Sequence, residues 1–189
     1  MSDELEKLLG GTRRAFDRLF EQRIVFLKGA IDDELTDAVV AQLLALDADS
    51  DEPITMYVNS PGGMITGMFA IYDTMRLLAS PVDTRCIGLA ASAGAFLLGT
   101  GTGTRASTEN ARIMIHQPLG GARGTAKDIE IQAKNIVWMR ERINEILADR
   151  TGKSIDEIRR DTDRDYWMTA DEAVAYGLID EIVAPGQGS

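Results

Sequence analysis

Histidine and cysteine are all but missing: the chain carries one of each, His116 and Cys86. A structural zinc site draws its four ligands mainly from those two residue types, so that class is excluded. A lone cysteine cannot form an internal disulfide, and Cys86 lies in an apolar stretch, where it reads as a small core residue. Basic clusters are lacking as well. No run of Lys or Arg exceeds a pair, and 30 acidic against 20 basic side chains leave a net charge of −10. Counterion release therefore has no basic surface to act on, and nucleic acid is not an expected partner. No stretch approaches the roughly 20 apolar residues that span a bilayer, so no membrane partner is expected either. Residues 1–9 carry charges where a secretory signal has an apolar core, which points to a reducing, cytoplasmic setting. With one histidine in the chain, a histidine base has to be His116.

What is present is an ordinary globular composition, with 44% hydrophobic and 26% charged residues in 189, enough for one domain with a substantial core. Residues 1–12 are charged and end in Gly10-Gly11, and read as a mobile tail; residues 13–189 read as the domain. A helix is expected over 13–22, from Ala15, Phe16, Leu19 and Phe20, and a buried strand over 24–27. Asp32 or Asp33 can cap a helix over 32–46, in which Leu35, Val39, Leu43 and Leu46 recur at helical spacing. A strand over 54–58 leads through the loop Asn59-Ser60-Pro61-Gly62-Gly63 into a helix over 64–78. A strand over 82–87 leads through small residues into a helix reaching about Leu98. A strand over 112–116 ends at the histidine. The longest helix, over 125–150, spans roughly 38 Å at about 1.5 Å per residue. It is apolar on more than one face, through Ile129, Ile131, Val137 and Trp138, so it needs either burial inside the domain or a second subunit. Short helices over 154–160 and 169–176, the latter with Thr169 and Glu172 as a capping box, precede a last strand over 178–183. Alternating strands and helices predict an α/β domain with a largely parallel sheet.

Three places can carry chemistry. Ser92 stands where a strand turns into a helix, flanked by Ala90, Ala91, Ala93 and Gly94. Small neighbours allow a sharp turn and leave the hydroxyl open, and the N–H after the serine lies at a helix start, where it can stabilise an oxyanion. The Gly-x-Ser-x-Gly pattern itself is not met, because Ala90 stands two before the serine. Gly62-Gly63 opens the preceding helix and offers unshielded N–H groups; phosphate cradling is the weaker reading, since neither Gly-Lys-Ser/Thr nor Gly-x-Gly-x-x-Gly is present. His116 closes a strand, and strand ends of parallel sheets are where sites form. A carboxylate to orient it must come from Asp161, Asp163 or Asp165, among which spacing does not choose. Asp165, beside Tyr166-Trp167-Met168, is the one expected to be partly buried.

Five segments, in order and at matching spacing, resemble the ClpP family, the proteolytic subunits of bacterial ATP-dependent Clp proteases. They are Asn59-Ser60-Pro61-Gly62-Gly63, Ile71-Tyr72-Asp73-Thr74-Met75, the Ala90-Ala91-Ser92 stretch through Gly94-Ala95-Phe96-Leu97-Leu98, Met114-Ile115-His116-Gln117-Pro118-Leu119-Gly120-Gly121, and Arg160-Asp161-Thr162-Asp163-Arg164-Asp165. The resemblance runs from about Phe16 to Val183. It implies a crotonase-like α/β fold with a long protruding handle helix from Thr125. It further implies a Ser-His-Asp triad of Ser92, His116 and Asp165, with the N–H groups of Gly63 and Ala93 as oxyanion hole. As partners it implies two stacked homo-heptameric rings enclosing a chamber and an AAA+ unfoldase, of ClpX or ClpA/ClpC type, that feeds in unfolded polypeptide. ATP would be used by that unfoldase; no cofactor or metal is implied on this chain. The departures are Ala93, where the family usually has methionine, a short polar N-terminal segment, and Thr55 and Leu77 where aromatic residues often line the unfoldase-docking pocket, Tyr57 keeping one. The alternatives are a catalytically silent ring subunit and an acyl-CoA enzyme of crotonase type, which would not need the triad.

Overall fold

A computed structural model describes residues 3–118, 123–184 and 186; the stretch 119–122 of the loop after His116 lies outside them. The elements in chain order are α1 (Asp3–Glu21), β1 (Ile24–Ile31), α2 (Asp33–Asp49), β2 (Ile54–Gly63), α3 (Ile65–Leu77), β3 (Val82–Ala91) and α4 (Ala93–Gly99). They continue with β4 (Arg105–Thr108), β5 (Arg112–Ile115), α5 (Ala126–Thr151), α6 (Ile155–Asp161), β6 (Tyr166–Met168), α7 (Ala170–Tyr176) and β7 (Glu181–Val183). The seven strands form one mixed sheet in the order β1-β2-β3-β4-β7, with β5 joining β3 and β6 joining β5. Strand β3 is the branch point. Its first half pairs with β4 through Thr84–Cys86, and its second half pairs with β5 through Leu89–Ala91. Gly88 lies between the two halves, at φ 82°. Every described pairing is parallel except β5 with β6.

The local causes are visible. Asp32 accepts the Leu35 N–H at 2.9 Å and starts α2, whose buried stripe is Thr36, Val39, Leu43 and Leu46. Arg23 sits at φ 61° and its guanidinium donates to the carbonyls of Leu46, Ser50, Glu52 and Pro53, gathering the end of α2 and the entry to β2. Thr125 and Asp128 form a capping box at the start of α5, and Gly152 in the left-handed region closes it. One apolar cluster runs between sheet and helices, with Leu27, Ile54, Met56, Ile71, Met75, Leu97 and Leu98 fully buried. Each such side chain contributes about 1.5–3 kcal/mol by leaving water. Cys86 is part of this cluster, and burial pushes its thiol up to about 12.

Several expectations change. The helix expected from residue 13 begins at Asp3, so most of the expected tail is helical. Strands β2 and β3 continue through the expected loops as far as Gly63 and Ala91, because neighbouring strands on both sides offer partners for small-residue backbone. Strand β4 was not expected, since Arg-Ala-Ser-Thr has no apolar alternation; it exists because β3 and β7 pair with it. The two faces of α5 resolve differently along its length. Ile143, Asn144, Ile146 and Leu147 are buried, whereas residues 123–135 are all exposed and Ile129, Ile131, Val137 and Trp138 keep 42–61% of their surface. The helix therefore protrudes, and its outer apolar residues are not buried within this chain. No helix among the described residues is long and apolar enough to cross a membrane.

Candidate active site

The C-terminal ends of β1, β2, β3 and β5 converge, and register decides what meets there. The β3–β5 ladder pairs Ala91 with Met114, and one step on the Ser92 N–H donates to Met114 O at 2.8 Å. Ser92 and His116 thereby leave adjacent strand ends together. The antiparallel β5–β6 ladder ends at Ile115 opposite Tyr166. One step past it, antiparallel register sets His116 opposite Asp165. The side chains connect accordingly: His116 Nε2 lies 2.8 Å from Ser92 Oγ, and His116 Nδ1 lies 3.0 Å from Asp165 Oδ1. A carboxylate only accepts, so Nδ1 carries the proton it donates to Asp165, and Nε2 is left to accept the serine O–H.

The other two aspartates are engaged elsewhere. Asp161 accepts from the Tyr176 hydroxyl at 2.9 Å, and Asp163 takes the Gln117 side-chain amide on its main-chain and side-chain oxygens. The expected burial of Asp165 is not found: its side chain is 60% exposed, against 13% for His116, and Tyr166 and Trp167 beside it are exposed too. The reason is that β6 is a three-residue strand with a described partner on one side only.

Ser92 adopts φ 55°, ψ −122°, one of two non-glycine residues with positive φ among those described. Such backbone costs of the order of 1–3 kcal/mol and persists where surroundings over-determine it. Ser92 is also the N-cap of α4, yet its hydroxyl makes no cap bond, being turned to His116. Across from it, a Cβ on Gly62 would stand 2.7 Å from the Ser92 Cβ and 2.9 Å from Ala91 O, so only glycine lets β2 pass the serine this closely. A Cβ on Gly63 would stand 2.2 Å from Ile31 O. The Met64 N–H donates to that same oxygen at 2.8 Å, which holds the glycine turn against the end of β1. Ala93 opens α4, and a first-turn N–H has no partner within its own helix. Beside Ser92 and His116 lies a cavity of about 250 Å³ walled by Ile65, Met68, Phe96, Ile143 and Leu147.

Sequence reasoning missed the supports. Ser60, fully buried, donates to Gly29 O at 2.6 Å and accepts the Gly62 N–H at 3.1 Å, shaping the glycine turn. Thr162, 1% exposed, places its hydroxyl 3.2 Å from the Asn144 amide oxygen. A polar residue between two aspartates gives no sign of burial; only the packing of α6 on α5 reveals it.

Among the described residues no group of His, Cys, Asp and Glu side chains is arranged to hold a metal ion. A half-buried serine with positive φ, turned to a histidine with a carboxylate behind it, is the arrangement that serine hydrolase chemistry calls for. Comparison with protein families agrees with that class: the Clp protease family model matches residues 11–186. The chain belongs to the Clp protease family, and its fold is the ClpP-type α/β fold.

Proposed function

We propose that this chain is the serine endopeptidase subunit of a self-compartmentalising, ATP-dependent protease. The observation that carries the reading is the unbroken line Ser92 Oγ–His116 Nε2 at 2.8 Å and His116 Nδ1–Asp165 Oδ1 at 3.0 Å. Ser92 Oγ attacks a peptide carbonyl while its proton passes to His116 Nε2, and the carbonyl oxygen becomes an oxyanion facing the N–H groups of Gly63 and Ala93. Asp165 keeps the imidazole oriented and stabilises the imidazolium. Collapse of the oxyanion breaks the C–N bond, and His116 returns its proton to the leaving amine. Water, deprotonated by His116, then attacks the acyl-serine ester. Oxyanion collapse releases the acid, and His116 gives the proton back to Ser92. The apolar walls beside Ser92 suit an apolar side chain next to the cleaved bond.

Family membership and the solvated apolar residues of α5 support assembly into two stacked heptameric rings through that helix, with the sites facing inward. Unfolded polypeptide is the substrate class, delivered by an AAA+ Clp unfoldase that uses the ATP. The test is intact mass after treatment with a serine-directed fluorophosphonate, followed by peptide mapping. One adduct on Ser92, absent in Ser92→Ala and lost in His116→Ala, is expected. No adduct on an assembled particle would instead favour the silent ring subunit.

A further inference from the structure

Asp165 is largely solvated, and the β5–β6 ladder that aims it stops one residue short, at Ile115 and Tyr166. An exposed carboxylate one residue outside a three-residue strand needs a second constraint to stay at hydrogen-bond distance. Gln117, the residue after the histidine, supplies one. Its backbone N–H donates to Thr162 O at 2.6 Å, and its Nε2 donates to Asp163 O at 3.0 Å with Asp163 Oδ1 at 3.3 Å. A carbonyl oxygen only accepts, so these contacts also fix which way the amide faces. Arg164 Nη1 reaches the same Asp163 carbonyl at 2.9 Å, but its side chain is 86% exposed and ties the loop only to itself. Gln117 instead ties the loop that carries Asp165 to the strand end that carries His116. The far side of the loop is held too: Thr162 donates to Ile158 O at 2.7 Å and abuts Asn144, both Thr162 and Asn144 being buried against the base of α5.

We propose that Gln117 is a positioning residue, a clamp that holds Asp165 against His116 through the Asp163 main chain without touching substrate. The role rests on reading Ser92, His116 and Asp165 as a catalytic triad. The His116–Asp165 pair is bracketed, with the β5–β6 ladder on one side and Gln117 on the other, so loosening either lets the carboxylate drift. A misplacement of about 1 Å at such a contact is enough to slow a reaction by up to about 10²-fold.

The single histidine makes the test direct. A particle labelled on histidine gives one imidazole environment per subunit, and a Nδ1 proton shared with a carboxylate resonates far downfield. Gln117→Met keeps the length of the side chain without its donor. Gln117→Glu keeps its shape but sets a carboxylate against two oxygens of Asp163. Expected in both is an upfield move of the His116 Nδ1 proton, larger for Gln117→Glu, with particle size and circular dichroism unchanged. The maximal rate of inactivation by the fluorophosphonate is expected to fall about tenfold while its KI stays within about twofold, because the lost contact acts on the reacting geometry and not on binding. A folded Gln117→Met variant with an unmoved Nδ1 proton overturns the clamp. Should that variant not assemble, Gln117→Glu carries the same test. Wild type that shows the downfield proton, moved by Gln117→Met, yet takes no adduct on Ser92 overturns the peptidase reading and leaves the clamp standing. Wild type that takes an adduct on Ser92 yet lacks the downfield proton overturns the clamp and leaves the peptidase reading standing.

Discussion

The two halves of the proposed triad are built to different standards. Ser92 and His116 stand at the ends of parallel strands inside the sheet, with Gly62, Gly63, Ser60 and Met114 fixing the backbone around them. Asp165 stands one residue before the outermost strand, solvated, and is aimed by a short ladder and a clamp. The nucleophile's half needs rigidity because its backbone is strained and must face a carbonyl within a few tenths of an ångström. The acid's half needs only direction, since its task is to hold an imidazole. Substitutions should therefore separate activity from stability in opposite ways in the two halves.

The largest effect is expected at Asp165→Asn. The amide no longer favours the tautomer in which Nδ1 donates, so Ser92 labelling should fall by about 10⁴-fold. The melting temperature should stay within about 1 °C, because an exposed side chain is lost. A drop of several degrees would show that the acid's half is structural after all. Next comes Gly63→Ala in the rigid half. The new Cβ meets the Ile31 main chain, which cannot rotate away, so β1 and β2 must part. Destabilisation of about 2–4 kcal/mol is expected in urea unfolding, together with loss of Ser92 labelling. A stable, fully reactive Gly63→Ala protein would remove Gly63 from the oxyanion reading. The smallest is Thr162→Val, which keeps the shape of a buried side chain and removes its hydroxyl from Asn144 and Ile158. About 1–2 kcal/mol of stability should be lost. Labelling should slow only a few-fold, since the Gln117 bonds remain; a loss as large as that of Asp165→Asn would mean that the buried side of the loop, not Gln117, aims the carboxylate.

The same contrast marks what could be read from the sequence. Ser92 and His116 were legible because each closes an apolar run at a point where the chain turns, and strand ends of parallel sheets gather sites. The acid was not, by residue pattern. Asp161, Asp163 and Asp165 are alternatives in any reading of spacing, and the aromatic neighbours Tyr166 and Trp167 do not provide the burial expected of them. What selects Asp165 is the antiparallel pairing of a strand too short to show a periodicity. The resemblance to a family named Asp165, the aspartate found beside His116, without supplying that reason. Strand β4 escaped for a similar cause, its order coming from neighbours and not from its own composition. The protrusion of α5 was half legible: apolar residues on several faces signalled more than one neighbour, but only the packing of Ile143 and Leu147 shows where its own domain ends.

On the proposed mechanism, strand β6 bears on the timing of catalysis. Three residues paired along one edge form a cooperative unit far smaller than the sheet, and such units open locally at a fraction of the free energy of global unfolding. Each opening carries Asp165 away and leaves Ser92 and His116 assembled but unassisted. The fraction of sites competent at any instant is thus an equilibrium of its own, set by fraying at this edge. A contact made to β6 from outside the chain would tune that fraction without touching Ser92.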